Sequence, residues 1–262
     1  MSPSQATLRS VPQLKNPPIN EVVCGVIFEP MQKLSLFQHG VYWAQRADDY
    51  PEFEVKPPIG DPGSIIELVG ESAFRSWFIS KDGCNLIQMQ FDRFFANWRK
   101  LKPSDAYPRF SNRPDAPEGM LKRLLREFEL FKTFSETGGM PLVVKAVELT
   151  KIDLLVEGRH WKDGQDLCSL FPLVESSYSP ESGVMPKAYL FKTETERNGM
   201  VVRTTAANGV EISTGSNVVR VETTARFADL SNGIETALIS ANTVVNDVFA
   251  HLVDLERFEK VP

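Results

Sequence analysis

Arginines and aromatic residues interleave along one part of this 262-residue chain. Between positions 93 and 113, Arg93, Arg99, Lys100, Lys102, Arg109 and Arg113 stand against a single acid, Asp105, among Phe94, Phe95, Trp98, Tyr107 and Phe110. Cations beside flat rings are the chemistry of a single-stranded nucleic-acid groove, where phosphates pair and bases stack. The same residues also describe a loop that packs its rings inward and solvates its charges, and composition alone leans toward that plainer reading. The chain as a whole, at a net charge of −5, is no general polyanion binder.

Catalytic chemistry finds little footing. His39, His160 and His251 lie far apart and none has a metal-ligand spacing. Arg159-His160-Trp161 reads as a surface histidine rather than a site loop. There is no Gly-rich phosphate loop, nucleophile elbow or zinc motif. Glu71 and Asp92 would form an acid/base pair only by accident of folding. No catalytic residue, metal or cofactor is therefore expected, and an enzyme of unknown reaction is the weakest of three functional readings. Cys24, Cys84 and Cys168 are an odd number without ligand spacing, which points to reduced thiols in the cytoplasm. No apolar run approaches the roughly 20 residues of a membrane-spanning helix.

The most regular polar pattern is QMQFDRFFANWRK, residues 88–100. Just before it, Asp82-Gly83 is a strong hairpin signal between segments 73–80 and 84–95. Counting outward from that turn pairs Lys81 with Cys84, Ile79 with Leu86, Trp77 with Gln88 and Arg75 with Gln90. Alternation then places Arg75, Trp77, Gln88, Gln90 and Asp92 on one face, and Phe74, Phe78, Ile87, Met89 and Phe91 on the core face. Arg75 is expected within reach of Asp92 for a charge-assisted hydrogen bond. Such a face is either a solvated or hydrogen-bonded seam or a recognition surface anchored by Trp77. Asn97, Trp98 and Arg99 extend either one. A one-residue slip in register would scatter the set.

The elements that must hold these residues follow from periodicity and punctuation. Residues 1–16 read as a loose arm. EVVCGVIF (21–28) is a buried strand entered through Pro17-Pro18. Leu34, Phe37, Val41 and Ala44 lie at helical spacing, and SIIELVG (64–70) is a further strand. Residues 103–118, with four prolines, form a loop. Leu121, Leu124, Leu125, Phe128, Phe131 and Phe134 make 119–134 an amphipathic helix closed by Gly138-Gly139. The remainder repeats this order loosely: a long strand at 142–156, an irregular stretch with a short helix near 166–171, a hairpin turning at Asn198-Gly199, and an alternating strand at 217–227. It ends in a helix carrying Ile234, Leu238, Ala241, Val245, Val248, Leu252 and Leu255, whose apolar stripe is core rather than a coiled-coil seam. The expected fold is α+β, in two similar halves spanning 17–140 and 141–262, each an antiparallel sheet packed on a long amphipathic helix.

Over roughly residues 16–110 the chain resembles a sporadically distributed family of uncharacterised prokaryotic proteins. NPPINEVVCGVIFEP, RSWFISKDGCNLIQMQFDRFFANWRK and YPRF carry the likeness. Relatives place an aromatic-x-Asn in the strand after the central helix, where this chain reads VELTKIDLL. The resemblance implies no reaction, cofactor or ligand, and its patchy distribution implies an accessory gene of a defence or toxin–antitoxin kind. The expectation is a cytoplasmic, non-catalytic binding protein with a protein partner. Arg75, Trp77, Gln88, Gln90, Asp92, Asn97, Trp98 and Arg99 form its contact face. The alternative is nucleic-acid binding through Arg93, Lys100, Lys102, Arg109 and Arg113.

Overall fold

The structure, a computed structural model, describes residues 13–60, 74–111, 118–171, 190–212 and 214–259. The expected strand at 64–70 and most of the expected arm lie outside these residues, as does Arg113. Within the arm, Leu14 is buried and the Lys15 N–H donates to the Glu259 carbonyl at 2.8 Å.

Nine strands and four α-helices are described. In order they are β1 (Ile19–Phe28), α1 (Leu36–Ala44), β2 (Glu52–Lys56), β3 (Arg75–Ile79), β4 (Asn85–Gln90), β5 (Arg93–Arg99), α2 (Met120–Thr137), β6 (Val144–Val156), α3 (Gly164–Leu170), β7 (Leu190–Arg197), β8 (Met200–Val210), β9 (Asn217–Phe227) and α4 (Gly233–Leu252). The expected fold of two halves, each a sheet on its own long helix, does not hold. The strands join a single nine-stranded sheet in the order β2-β3-β4-β5-β1-β6-β9-β8-β7. The physical reason lies in β1 and β6. β6 carries a run of five buried residues and β1 one of three, and two separate sheets would leave such strands at an edge with unpaired backbone groups. The edges go instead to β2 (EFEVK) and β7 (LFKTETER), which are rich in charge.

By compactness the chain divides into two units, one of residues 21–149 and 226–239, the other of 1–20, 150–225 and 240–262. In the first unit, β1 pairs antiparallel with β5, and β2, β3, β4 and β5 follow as antiparallel neighbours. One face of these strands packs its apolar side chains, among them Val22, Val26, Phe78, Met89 and Phe94, against α1 and α2. Tyr42 is the hub: its ring centroid lies 5.1 to 6.4 Å from Phe78, Phe94, Phe131 and Phe134, and each such aromatic pair adds about 0.5–1.5 kcal/mol beyond burial. On α2 the fully buried Glu127 is held by Arg46 through two bonds, at 3.0 and 3.1 Å. A carboxylate in apolar surroundings survives only with such compensation.

Helix α1 presents a different face from the one its apolar spacing suggests. His39 and Tyr42 are buried, while Phe37 is 74% exposed. His39 takes the inward position because the Ser76 hydroxyl on β3 lies 2.7 Å from its Nδ1 and Phe74 meets its ring edge-on at 4.7 Å.

In the second unit, β7 and β8 pair across the Asn198-Gly199 turn, with φ of +51° and +72° at its two central residues. Positive φ at both is what a type I′ hairpin turn demands. Val219, Val221, Leu155, Phe249 and Leu252 form the core here together with Leu14.

Candidate functional site

Strands β3, β4 and β5 bring most of the sequence-predicted residues to the sheet face opposite the aromatic core of the first unit. The expected register is present: Arg75 pairs with Gln90, Trp77 with Gln88 and Ile79 with Leu86. The loop at Asp82-Gly83 is longer than two residues, covering 81–84. It grows by one residue on each side, so the expected Lys81–Cys84 pair is lost to the loop and the pairing beyond it is unchanged.

Gln88 is the pivot. Only 3% exposed, its Oε1 accepts from the Trp77 indole N–H at 3.1 Å and from Arg75 Nη1 at 3.2 Å. Three cations approach the Trp77 ring: Lys56 Nζ at 4.9 Å, the Arg75 guanidinium carbon at 5.3 Å and that of Arg99 at 5.6 Å from its centroid. Contacts of this kind contribute about 0.5–2 kcal/mol each, more as they are desolvated. Lys56 and Arg75 are paired residues, two positions before Trp77 along β3. Arg99 comes from the other direction, past the loop, where its N–H bonds the Cys84 carbonyl at 2.8 Å. The ring is thus flanked along the strand by its own chain's charges. Lys56 pairs with Glu54 at 2.5 Å, and Arg99 Nε donates to the Gly83 carbonyl at 2.9 Å. Among the described residues no carboxylate lies in ion-pair range of Arg75 or Arg99. Arg75 is half-buried, and its Nε hydrogen has no acceptor. Burial pulls its pKa down, the neighbouring Glu21 opposes that, and Arg93 adds to it.

The remaining predicted residues divide sharply. Segment 84–95 is not one strand: β4 ends at Gln90, the chain turns at Phe91-Asp92, and β5 begins at Arg93. Asp92 therefore meets Arg93 rather than Arg75, accepting from its Nε at 2.9 Å and its Nη2 at 2.7 Å. Gln90, 2% exposed, donates to Asp92 at 3.0 Å and clamps the Ile59 backbone through both its amide atoms, at 2.8 and 3.0 Å. Gln90, Asp92 and Arg93 are thus a hydrogen-bonded seam. Asn97 is buried and donates to Glu21 at 3.2 Å, with its Oδ1 unpartnered. Trp98 faces the aromatic core side, against Tyr107 at 5.4 Å. Lys56 and Glu54 join the face unforeseen. Their one signal was the alternating charge of EFEVK, but its pairing with β3 spans residues 57–74.

The basic segment does not assemble into a stripe. Arg93 is 3% exposed and paired, and Arg99 belongs with Trp77. Lys102 is exposed and Lys100 half-buried. The Asp105 carboxylate accepts the Leu101 and Lys102 N–H groups at 2.9 and 2.7 Å, which holds its pKa below the usual range. Arg109 adopts φ +73° and its carbonyl receives the first N–H of α2 at 3.0 Å. Its backbone role is to start a helix.

The histidines have separate structural places. Burial lowers His39 to a pKa of about 3 and His160 to about 4. His160 Nδ1 accepts the Val156 N–H at 2.8 Å, and His251 Nδ1 lies 2.7 Å from the Asp247 carbonyl. Among the described residues no group of three His, Cys, Asp or Glu could hold a metal ion. A pocket of about 310 Å³ opens beside Met31, Lys33, Met140 and Val143; its Glu29 already pairs with Lys145 at 2.6 Å.

A second polar cluster lies inside the second unit. Lys151 Nζ donates to Asn246 Oδ1 at 2.6 Å, and Asp153 lies nearby at 4% exposure. Burial, opposed by the Lys151 charge, pushes the Asp153 pKa up to about 7. A titratable group sealed from solvent has no route to a substrate, so this cluster bears on stability.

Compared with protein-family models, curated proteins and solved structures, the chain matches none. Among the described residues no helix is long and apolar enough to cross a membrane.

Proposed function

We propose that this chain is a non-catalytic binding protein of the cytoplasm that engages a protein partner through the Trp77 face of β2–β5, as a component of an accessory system. One observation carries the reading. Arg75 is half-buried without a carboxylate among the described residues, yet is held against Trp77 by the buried Gln88. A guanidinium left so incompletely compensated costs free energy in the free protein, and a partner that supplies acceptors recovers it. Tryptophan and arginine are also the side chains that most often dominate protein interfaces. Because Gln88 fixes both, little ordering entropy is lost on docking. The cytoplasmic setting rests on the free thiols of Cys24 and Cys84, and the accessory setting on the family resemblance alone.

The second reading, nucleic-acid binding, is favoured by the three cations around one ring. Two features weigh against it: the flanked indole offers no open platform for a base, and Arg93 is already neutralised by Asp92. Capture from the native host at low and moderate salt, with wild type beside Trp77→Ala, tests the choice. The expected result is one identified protein whose purified form loses about thirtyfold or more in affinity to Trp77→Ala and tolerates moderate salt. Recovery of nucleic acid, with affinity falling steeply as salt rises, would reverse the order of the two readings.

A further inference from the structure

Resting on the protein-binding reading above, we infer that the occupant of the Trp77 face is an acidic segment of the partner in extended conformation, with one carboxylate on Arg75 and a second on Arg99. The argument is charge complementarity on a preorganised frame. A guanidinium offers five N–H donors. Arg75 spends one on Gln88 at 3.2 Å, and Arg99 spends one on the Gly83 carbonyl at 2.9 Å. Both acceptors are neutral, and the carboxylates closest to the face are already engaged, Glu54 by Lys56 and Glu21 by Asn97. With the Arg75 Nε buried and the Arg99 Nε spent, the terminal NH2 groups of the two guanidiniums are the donors left for a carboxylate.

The spacing narrows the ligand. The two guanidinium carbons stand 5.3 and 5.6 Å from one ring centroid, reaching it from opposite directions along the strand. Alternate side chains of an extended segment lie about 7 Å apart on one face, so acids at alternate positions straddle the indole. A phosphate chain fits less well. Glu54 sits directly opposite Trp77 in the register, putting a negative charge where a continuous polyanion would run, and the flanked ring denies base stacking. Discrete carboxylates can avoid Glu54 where an unbroken row of charge cannot.

The test is fluorescence anisotropy with three labelled probes: a short peptide alternating glutamate and threonine, its glutamine counterpart, and an oligothymidylate of matched charge. Saturable binding of the glutamate peptide alone is expected. Arg75→Gln and Arg99→Gln should each weaken it about tenfold or more, while Lys102→Gln in the exposed loop leaves it unchanged. Arg99→Gln probes the second cation independently, so it decides the matter if Arg75→Gln unfolds. Tighter binding of the oligothymidylate, equal binding of the glutamine peptide, no saturable binding of the glutamate peptide, or indifference to Arg99→Gln overturns the inference. If the glutamate peptide fails but a captured, purified partner still loses affinity to Trp77→Ala, the acidic chemistry is wrong and the protein-binding reading stands. If that partner binds Trp77→Ala as well as wild type, the reading itself falls.

Discussion

Replacing Asp153 by asparagine should stabilise the protein at neutral pH and leave it nearly unchanged in mild acid. Asp153 is buried, and that burial outweighs the attraction of Lys151, raising its pKa from 3.8 to about 7. The sign follows from proton binding. Below about pH 4 the carboxyl is neutral in both folded and unfolded chains and costs nothing. Between pH 4 and 7 the unfolded chain ionises while the folded one keeps its proton, so stability falls by about 1.4 kcal/mol per pH unit. Above pH 7 both forms are ionised and the loss levels off. Across that window the loss is on the order of a few kcal/mol. Asparagine has the shape of the neutral acid and never ionises. His39 and His160 work the other way: held neutral by burial, with pKa values of about 3 and 4, they contribute stability that is lost as pH falls below 6.5. The wild-type profile therefore mixes opposing slopes, and the difference between variant and wild type isolates Asp153. Urea unfolding across pH 4 to 8 supplies it, provided the transitions are two-state with matching m-values. A flat difference, or a variant less stable at pH 8, would show that Lys151 and Asn246 hold the ionised carboxylate comfortably, and the reasoning from burial would fail.

Two further outcomes follow from the first unit. Gly25 faces Phe95 across the β1–β5 pair, and a Cβ there would lie 1.9 Å from the ring and 2.3 Å from the Phe94 carbonyl; Gly25→Ala should cost about 3 kcal/mol or more, measured as a fall in urea midpoint or as loss of soluble protein. Ser76→Ala leaves the buried His39 without a partner on either nitrogen, since Nε2 already has none, and should cost about 1–3 kcal/mol. The double variant Ser76→Ala, His39→Leu should recover part of that, and a double variant no more stable than the single one would assign the cost to packing.

The features legible in the chain itself are local and periodic. A turn signal at Asp82-Gly83 and a side-chain period of two set the β3–β4 register, since lengthening a loop equally on both sides leaves every pair intact. The Asn198-Gly199 hairpin and the stripe on α2 were legible for the same reason. What only the tertiary structure decided is everything that depends on chain reversal or distant pairing. The Phe91-Asp92 turn has no glycine to announce it, and a two-residue reversal exchanges odd for even positions. Counting straight through it would set Trp98 beside Gln88. Folding back instead puts Arg93, Phe95, Asn97 and Arg99 on that face and sends Trp98 to the other. In α1 the apolar spacing pointed Phe37 inward, but a serine on β3 made a histidine the better core residue. Lys56 reaches Trp77 only because β2 pairs with β3 across a long connection. The union of all strands into one sheet likewise answers a demand no local pattern expresses: β1 and β6, each with buried stretches, need a neighbour on both sides.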